Sequence, residues 1–361
     1  MRIFLVCGDR GIPPGGTKGA SVHLRALAEA LTGAGHQLVT FSPRHGDFPT
    51  ALLPLDGSSS LLDEAARHGP PDVVYERYSL GHLAGLEEAR ALGRPLLLEV
   101  NAPLVAEANR HRPGSVTAVD EGIERRLFGE ADLVLTVSEP LRRYVAGLRG
   151  TDEGTVVVSN GCHPGLFPHP APLDQAHPTL VFLGHPRPWH GAERLPELLA
   201  TLARAGCQAR LLVIGGGPGA AAVADGARRH GLDHAVEVTG PLPQAEAARR
   251  LTEATIAVAP YPADPFFYFS PLKIVECMAA GLPVVTSDQG DLPAMLGGTG
   301  VLVAPGDDQA LHDAVLQLLG DHELRRRLGT AARARALRFY TWDGVAETVT
   351  ALAQACARAA A

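Results

Sequence analysis

The chain has 361 residues, more than one ordinary hydrophobic core organises, so two domains of roughly 170 residues each are expected. A net charge of −7 argues against a nucleic-acid binder, whose footprint would be a basic surplus. With 46% hydrophobic residues, 40 Gly and 29 Pro, the composition is that of a globular protein with many loops. Five scattered cysteines (Cys7, Cys162, Cys207, Cys277 and Cys356) form an odd set without a CxxC pair, which points to a reducing compartment and to no structural zinc.

The first apolar run, residues 3–7, is followed at once by Gly8, Asp9 and Arg10. It is too short for a signal peptide or a membrane span and reads as a buried first strand, so a cytoplasmic location without stable membrane insertion is expected. After the loop GDRGIPPGGTKGAS, a helix is expected from Ser21, with Val22, Leu24, Leu27, Ala28 and Leu31 on one face. Further apolar runs at 37–41, 72–75, 95–100, 131–137 and 155–158 read as strands. The last of them leads into SNGCHPGLF, and the polar, Pro-rich HPAPLDQAHP then reads as an interdomain linker. The pattern restarts with strands at 179–183, 209–214, 235–239, 256–259, 284–285 and 300–303, and a helix from about Glu193. Strands alternating with helical patterns predict parallel sheets covered on both faces: an α/β protein of two doubly wound domains whose ligands bind in the cleft at the strands' carboxyl ends. The Ala- and Arg-rich tail reads as amphipathic helix with Trp342 packed at a break within it.

The stretch 259–287, APYPADPFFYFSPLKIVECMAAGLPVVTS, packs a strand end, an aromatic loop, a helix start and the next strand into one unit. Ser270 and Pro271 read as N-cap and first helical residue. Leu272, Ile274, Val275, Met278 and Ala279 then recur at helical spacing until Gly281 and Pro283 stop the helix. A helix start at a loop is a ready anion site, and Lys273 in its first turn is unfavourable against the helix dipole unless an anion is near. Lysine occurs only at Lys18 and Lys273, the other 30 basic residues being Arg. Both lysines lie in loops with the character of a phosphate cradle. Gly16 and Gly19 flank Lys18 and allow close approach, but no Ser or Thr follows the lysine, so this is not a Walker loop.

The order of GG-x-K-G after the first strand, SNGC before a linker, FLGHPRPWHG opening the second half, IGGGP, VTG and PLKIVECMAAGLPVV resembles the retaining glycosyltransferases of the GT-B fold, family four. That resemblance covers essentially the whole chain and implies two Rossmann-like domains facing each other across a cleft. Residues 1–168 would bind the acceptor, residues 169–340 the nucleotide-sugar donor, and a last helix over 341–361 would cross back to the first domain. It implies a bacterial transferase that needs no cofactor and no metal, because basic side chains and backbone N–H groups hold the donor diphosphate. Lys273, Arg187 and Asn101 are then the catalytic candidates. Gly16, Lys18, Gly19, His190, Gly216, Ser270, Pro271, Leu272, Tyr268 and Glu276 are assigned to the donor, with Glu276 on the ribose hydroxyls. Glu99, Glu107, Arg110 and Arg77 are assigned to the acceptor.

The chain departs from the family pattern at three places. His185 and His190 stand where members carry Arg and Lys, and His190 reads either as a contact to the diphosphate when protonated or as a neutral loop histidine. Tyr268 stands at the first glutamate of the paired-glutamate motif. Asn101 occupies a strand end where many members bear a histidine. Residues 1–165 carry 16 Lys and Arg against 20 Asp and Glu, a net of −4, and no strongly basic amphipathic helix. This favours a soluble polar acceptor, such as an aminocyclitol in antibiotic or other natural-product assembly, with a UDP-sugar as favoured donor and a monomer or homodimer as the working form. The alternatives are a cell-envelope polysaccharide or glycolipid transferase, a nucleotide-sugar 2-epimerase, or a non-catalytic nucleotide-sugar binding protein.

Overall fold

The computed structural model describes residues 1–55, 57–167 and 178–360. The expected boundary at residue 168 and all but the last residue of the expected linker lie outside the described residues. The first half contains seven strands: β1 (Arg2–Cys7), β2 (Gln37–Ser42), β3 (Ala51–Pro54), β4 (Val73–Arg77), β5 (Leu96–Val100), β6 (Leu133–Thr136) and β7 (Thr155–Val157). The second contains six: β8 (Thr179–Leu183), β9 (Arg210–Ile214), β10 (Val236–Val238), β11 (Ile256–Ala259), β12 (Val284–Ser287) and β13 (Val301–Val303). Their orders are β3-β2-β1-β4-β5-β6-β7 and β10-β9-β8-β11-β12-β13. Every pairing is parallel.

Both sheets are covered on both faces, which is why their strands are apolar at successive positions. Along β1, Ile3, Leu5 and Cys7 enter one core while Phe4 and Val6 enter the other. Strand order reverses between β1 and β4 and again between β8 and β11, and at such switch points the loops after neighbouring strands part to leave a crevice. The two crevices face each other. The fold is GT-B, two Rossmann-like domains across a cleft.

The structure adds β3, which was not expected from sequence. It is a four-residue edge strand, half-exposed and closed by Pro54, so it lacks the apolar run that marks its neighbours. The expected tail helix is two helices, His322–Phe339 and Trp342–Ala359, broken at Tyr340 and Thr341. Thr341 caps the second, its hydroxyl accepting from the Gly344 N–H at 3.1 Å. Trp342, Ala346, Val349 and Ala353 repeat at helical spacing and enter the same core as Leu24, Leu27 and Leu31 of the helix Gly19–Gly33, so the last helix packs on the first domain.

The chain thus passes between the domains twice, and the two passages are tied together. Cys162 donates its N–H to the Tyr340 carbonyl at 2.9 Å, and Trp342 donates to the Cys162 carbonyl at 3.0 Å. A Cβ on Gly161 would come within 2.6 Å of the Thr341 and Trp342 backbone, so only glycine allows the passages to run this close. No helix among the described residues is long and apolar enough to cross a membrane.

Trp342 is fully buried between the domains' tie and the first core, so Trp342→Ala should cost about 3–5 kcal/mol. The expected outcome is a lower urea midpoint with the first domain's signal lost earliest.

Candidate active site

The loops at the carboxyl ends of both sheets enclose a cleft cavity of about 690 Å³. Its first-domain wall is formed by Gly16, Lys18, Gly19, Arg77, Asn101 and Asn160, and its second-domain wall includes Arg187, His190, Ser270, Lys273 and Glu276. Two helix N-termini converge on it. The helix Gly19–Gly33 begins after Lys18, and the helix Leu272–Ala279 after Pro271; neither start has a side-chain cap. A Cβ on Gly19 would lie 3.8 Å from Leu272 Cδ1, so the two starts nearly touch across the cleft. Leading N–H groups of both helices therefore present partial positive charge to one space.

Lys273 adds a full charge. Its Nζ is sealed from water and has no hydrogen-bond partner, lying 4.3 Å from the centre of the Phe182 ring and 5.8 Å from that of Tyr261. Burial lowers its pKa to about 7, partly offset by Cys277 and Glu276. One turn on, Glu276 accepts a hydrogen bond from Gln244 Nε2 at 2.8 Å. Burial raises its pKa to about 7 against the opposing pull of Gln244 and Lys273. An ammonium without a partner beside uncapped helix starts is a site built for an anion that supplies the missing charge.

Several expected roles need correction. Ser270 is not the N-cap: the helix begins at Leu272, with Pro271 extended before it. Ser270 is instead held by Asn160, whose Nδ2 donates to the Ser270 carbonyl at 2.6 Å. His190 is not a cation, because burial and the nearby Lys273 lower its pKa to about 2, and its Nδ1 is engaged by the His185 carbonyl and the Arg187 N–H. His185 is held below its ordinary range by burial and by Arg187, Lys18 and Lys273. Gly215, rather than Gly216, lines the cavity; a Cβ there would stand 2.2 Å from the Gly184 carbonyl, so the loops after β8 and β9 touch. Gly216 packs against Pro241.

Tyr268 does not face the cavity. Its ring enters the first domain's core and its hydroxyl donates to Glu107. Glu107 and Arg110 are likewise taken up between the domains, Arg110 pairing with Asp264 at 2.8 Å. His111 meets the Trp189 ring at 5.1 Å in the same contact. Glu99 lies behind the wall, 5% exposed, where His23 Nε2 approaches it at 2.5 Å and Arg77 at 3.7 Å. Arg77 and Asn101 do reach the cavity, and Asn101 Oδ1 is buried without a partner. Gly16, Lys18, Gly19, Arg187, Ser270, Pro271, Leu272, Lys273 and Glu276 are all brought to the same cavity. Sequence reasoning missed His23, which reads as one more residue of a helix, and the Gly240–Gln244 loop, whose Pro241, Leu242, Pro243 and Gln244 line the second-domain end.

Residues 17–165 match the family described as Glycosyltransferase Family 4, and residues 177–321 match Glycosyl transferases group 1. Together these matches span most of the chain, and both domains of the cleft fall within them. The chain belongs to glycosyltransferase family 4. A glycogen synthase of Mycobacterium tuberculosis is 28% identical over 97% of this chain and 94% of its own. Among solved structures, sucrose-phosphate synthase from Thermosynechococcus elongatus superposes with a TM-score of 0.79 at 21% identity, covering 99% of each chain. Anabaena HepE in complex with UDP-glucose gives 0.76 at 18% identity, covering 98% of this chain and 99% of that one.

The buried pair sets the empty glycosyltransferase's response to pH. Between pH 7 and the ordinary lysine value of 10.5, the unfolded chain binds the Lys273 proton and the folded chain does not, so stability rises with pH through that window. Between 4.5 and 7 the folded chain keeps the Glu276 proton and the unfolded chain loses it, so stability falls as pH rises. Melting temperature recorded against pH should lose the upper arm in Lys273→Met and the lower arm in Glu276→Gln. Lys273→Met should also stabilise the empty protein near neutral pH, on the order of 1 kcal/mol.

Proposed function

We propose that this glycosyltransferase moves a sugar, with retention at its anomeric carbon, from a nucleoside-diphosphate sugar to a hydroxyl of a soluble, polar small molecule. The observation that carries the reading is the unpartnered ammonium of Lys273 beneath two converging helix starts. Departure of a diphosphate leaves negative charge where these groups point, and stabilising it is the main task of catalysis. Lys18 and Arg187 stand at the same cavity and add charge from either domain. These cations take the part that a bound metal would play, so the reaction is inferred to need no metal and no cofactor. Glu276, one turn beyond Lys273, is assigned to the two ribose hydroxyls, from which a carboxylate can accept. UDP is the favoured nucleotide, a reading supported by the likeness to HepE in complex with UDP-glucose.

In the transfer, the bond from the anomeric carbon to the diphosphate oxygen breaks and the bond to the acceptor oxygen forms on the same face. The acceptor's hydroxyl proton passes to the departing phosphate oxygen. What supports this course is the choice of carboxylates at the cavity wall: Asp47 and Glu276 alone among the described residues that line it. Glu276 is assigned to the ribose hydroxyls above, and its Oε1 already accepts from Gln244, which leaves it no part in taking the acceptor's proton. Arg77, Asn101 and Asp47 are the first-domain groups open to a polar acceptor. A cytoplasmic site of action fits such an acceptor.

Calorimetric titration of UDP, GDP, ADP and dTDP without magnesium tests the donor half. One nucleotide, UDP, is expected to bind, and both Lys273→Ala and Glu276→Ala should weaken it. Binding at pH 8 should take up a proton, read from the dependence of heat on buffer, because the diphosphate returns charge to Lys273. In turnover, Lys273→Ala should lower kcat about 100-fold or more. Binding that ignores both substitutions would remove the basis of the proposal.

A further inference from the structure

His23 lies near the start of the helix Gly19–Gly33, 4% exposed, with both ring nitrogens engaged. Nε2 is 2.5 Å from Glu99 Oε1 at the end of β5, and Nδ1 is 2.7 Å from Asn160 Oδ1 beside the first passage between the domains. Asn160 Nδ2 in turn donates to the Ser270 carbonyl at 2.6 Å, and the Asn160 N–H reaches Ser270 Oγ at 3.5 Å. Ser270 immediately precedes Pro271 and the helix that carries Lys273.

Hydrogen-bond inventory fixes what the ring meets on either side. Turning the Asn160 amide over would set its oxygen against the Ser270 carbonyl, two acceptors face to face, so Oδ1 must point at His23, whose Nδ1 donates to it. The other nitrogen is taken up by the Glu99 carboxyl, so the ring joins β5 to the first passage between the domains. Glu99 of β5, which faces the ring, is approached in turn by Arg77 of β4 at 3.7 Å. The edge of Trp342 packs against the His23 ring at 5.0 Å, with His163 on that same indole at 6.5 Å.

We propose that His23, hydrogen-bonded between Glu99 and Asn160, is a positioning residue that sets Ser270 and the Lys273 helix in register with the first domain's wall of the cleft. With both nitrogens occupied it offers no base to the acceptor, although its ring reaches the cavity wall. Its action runs through Asn160 to the second domain. The consequence for catalysis rests on the donor-site reading above, whereas the hydrogen-bond chain does not.

The test has two arms. Nitrogen-15 spectra of the full-length protein, with His23→Gln used to assign the signal, should show both ring nitrogens of His23 hydrogen-bonded. A ring nitrogen open to water would overturn the proposal whatever the protein's activity. In the second arm, His23→Gln and Asn160→Asp should each lower kcat about tenfold to a hundredfold, the worth of a charge-assisted hydrogen bond. UDP affinity should fall less than kcat, because Lys273 and Glu276 stay together on their own helix. Asn160→Asp keeps an acceptor for His23 but loses the donor to Ser270, so its spectrum should still show both ring nitrogens hydrogen-bonded. The double variant should be no slower than the worse single one. Additive losses in kcat, or a wild-type kcat in His23→Gln, would defeat the positioning role. Failure of the wild type to bind any nucleotide would instead strike the donor-site reading and leave the spectroscopic arm to decide on His23.

Discussion

An ammonium group without a counter-ion governs this molecule. Lys273 Nζ has aromatic rings beside it and no oxygen within hydrogen-bonding reach, and it sits at a helix end that already carries positive potential. Folding the empty protein therefore works against electrostatics at this point, and the rest of the cleft is arranged so that a ligand relieves it. The helix Gly19–Gly33 directs its own start at the same space, and the tight contact of Gly215 with the Gly184 carbonyl keeps the floor low enough for backbone to reach a ligand.

That arrangement exists only if the domains hold a defined mutual position. Two kinds of contact provide it. On one side the passages of the chain are hydrogen-bonded at Cys162 and Trp342, with Asn160 reaching across to Ser270. Elsewhere the helix Leu104–His111 of the first domain meets the aromatic loop of the second through Glu107 with Tyr268 and Arg110 with Asp264, and the loop after β8 through His111 with Trp189. Ser138 adds a hydrogen bond to the Tyr268 carbonyl at 2.6 Å, and Asp291 accepts from the Glu139 N–H at 2.7 Å. Tyr268, which replaces a carboxylate of the family pattern, has thus become part of the contact between domains.

The doubly wound architecture was legible because buried parallel strands are apolar on both faces, and runs such as 3–7 and 179–183 have no other reading. β3 was not legible, since a half-exposed edge strand ending at a proline carries no such run. The cavity-lining residues were legible where backbone chemistry marks them: glycines beside Lys18, and proline before the Lys273 helix. What failed were readings that depend on a partner distant in sequence. Ser270 looked like an N-cap, but its carbonyl and hydroxyl are claimed by Asn160, 110 positions away. His190 had two readings from sequence, cation or neutral loop histidine, and burial favours the neutral one. Arg110 and Glu107 looked open to an acceptor because nothing local in the sequence points to Asp264 or Tyr268.

The scarcity of lysine has a chemical corollary. Both lysine amines of the chain, Lys18 and Lys273, stand on the wall of one cavity, while the remaining basic side chains are guanidinium groups that do not react as amines. Lys18 is exposed, whereas the Lys273 amine is shielded from solvent. An amine-directed reagent would thus find its lysine targets on a single cavity and meet Lys18 first.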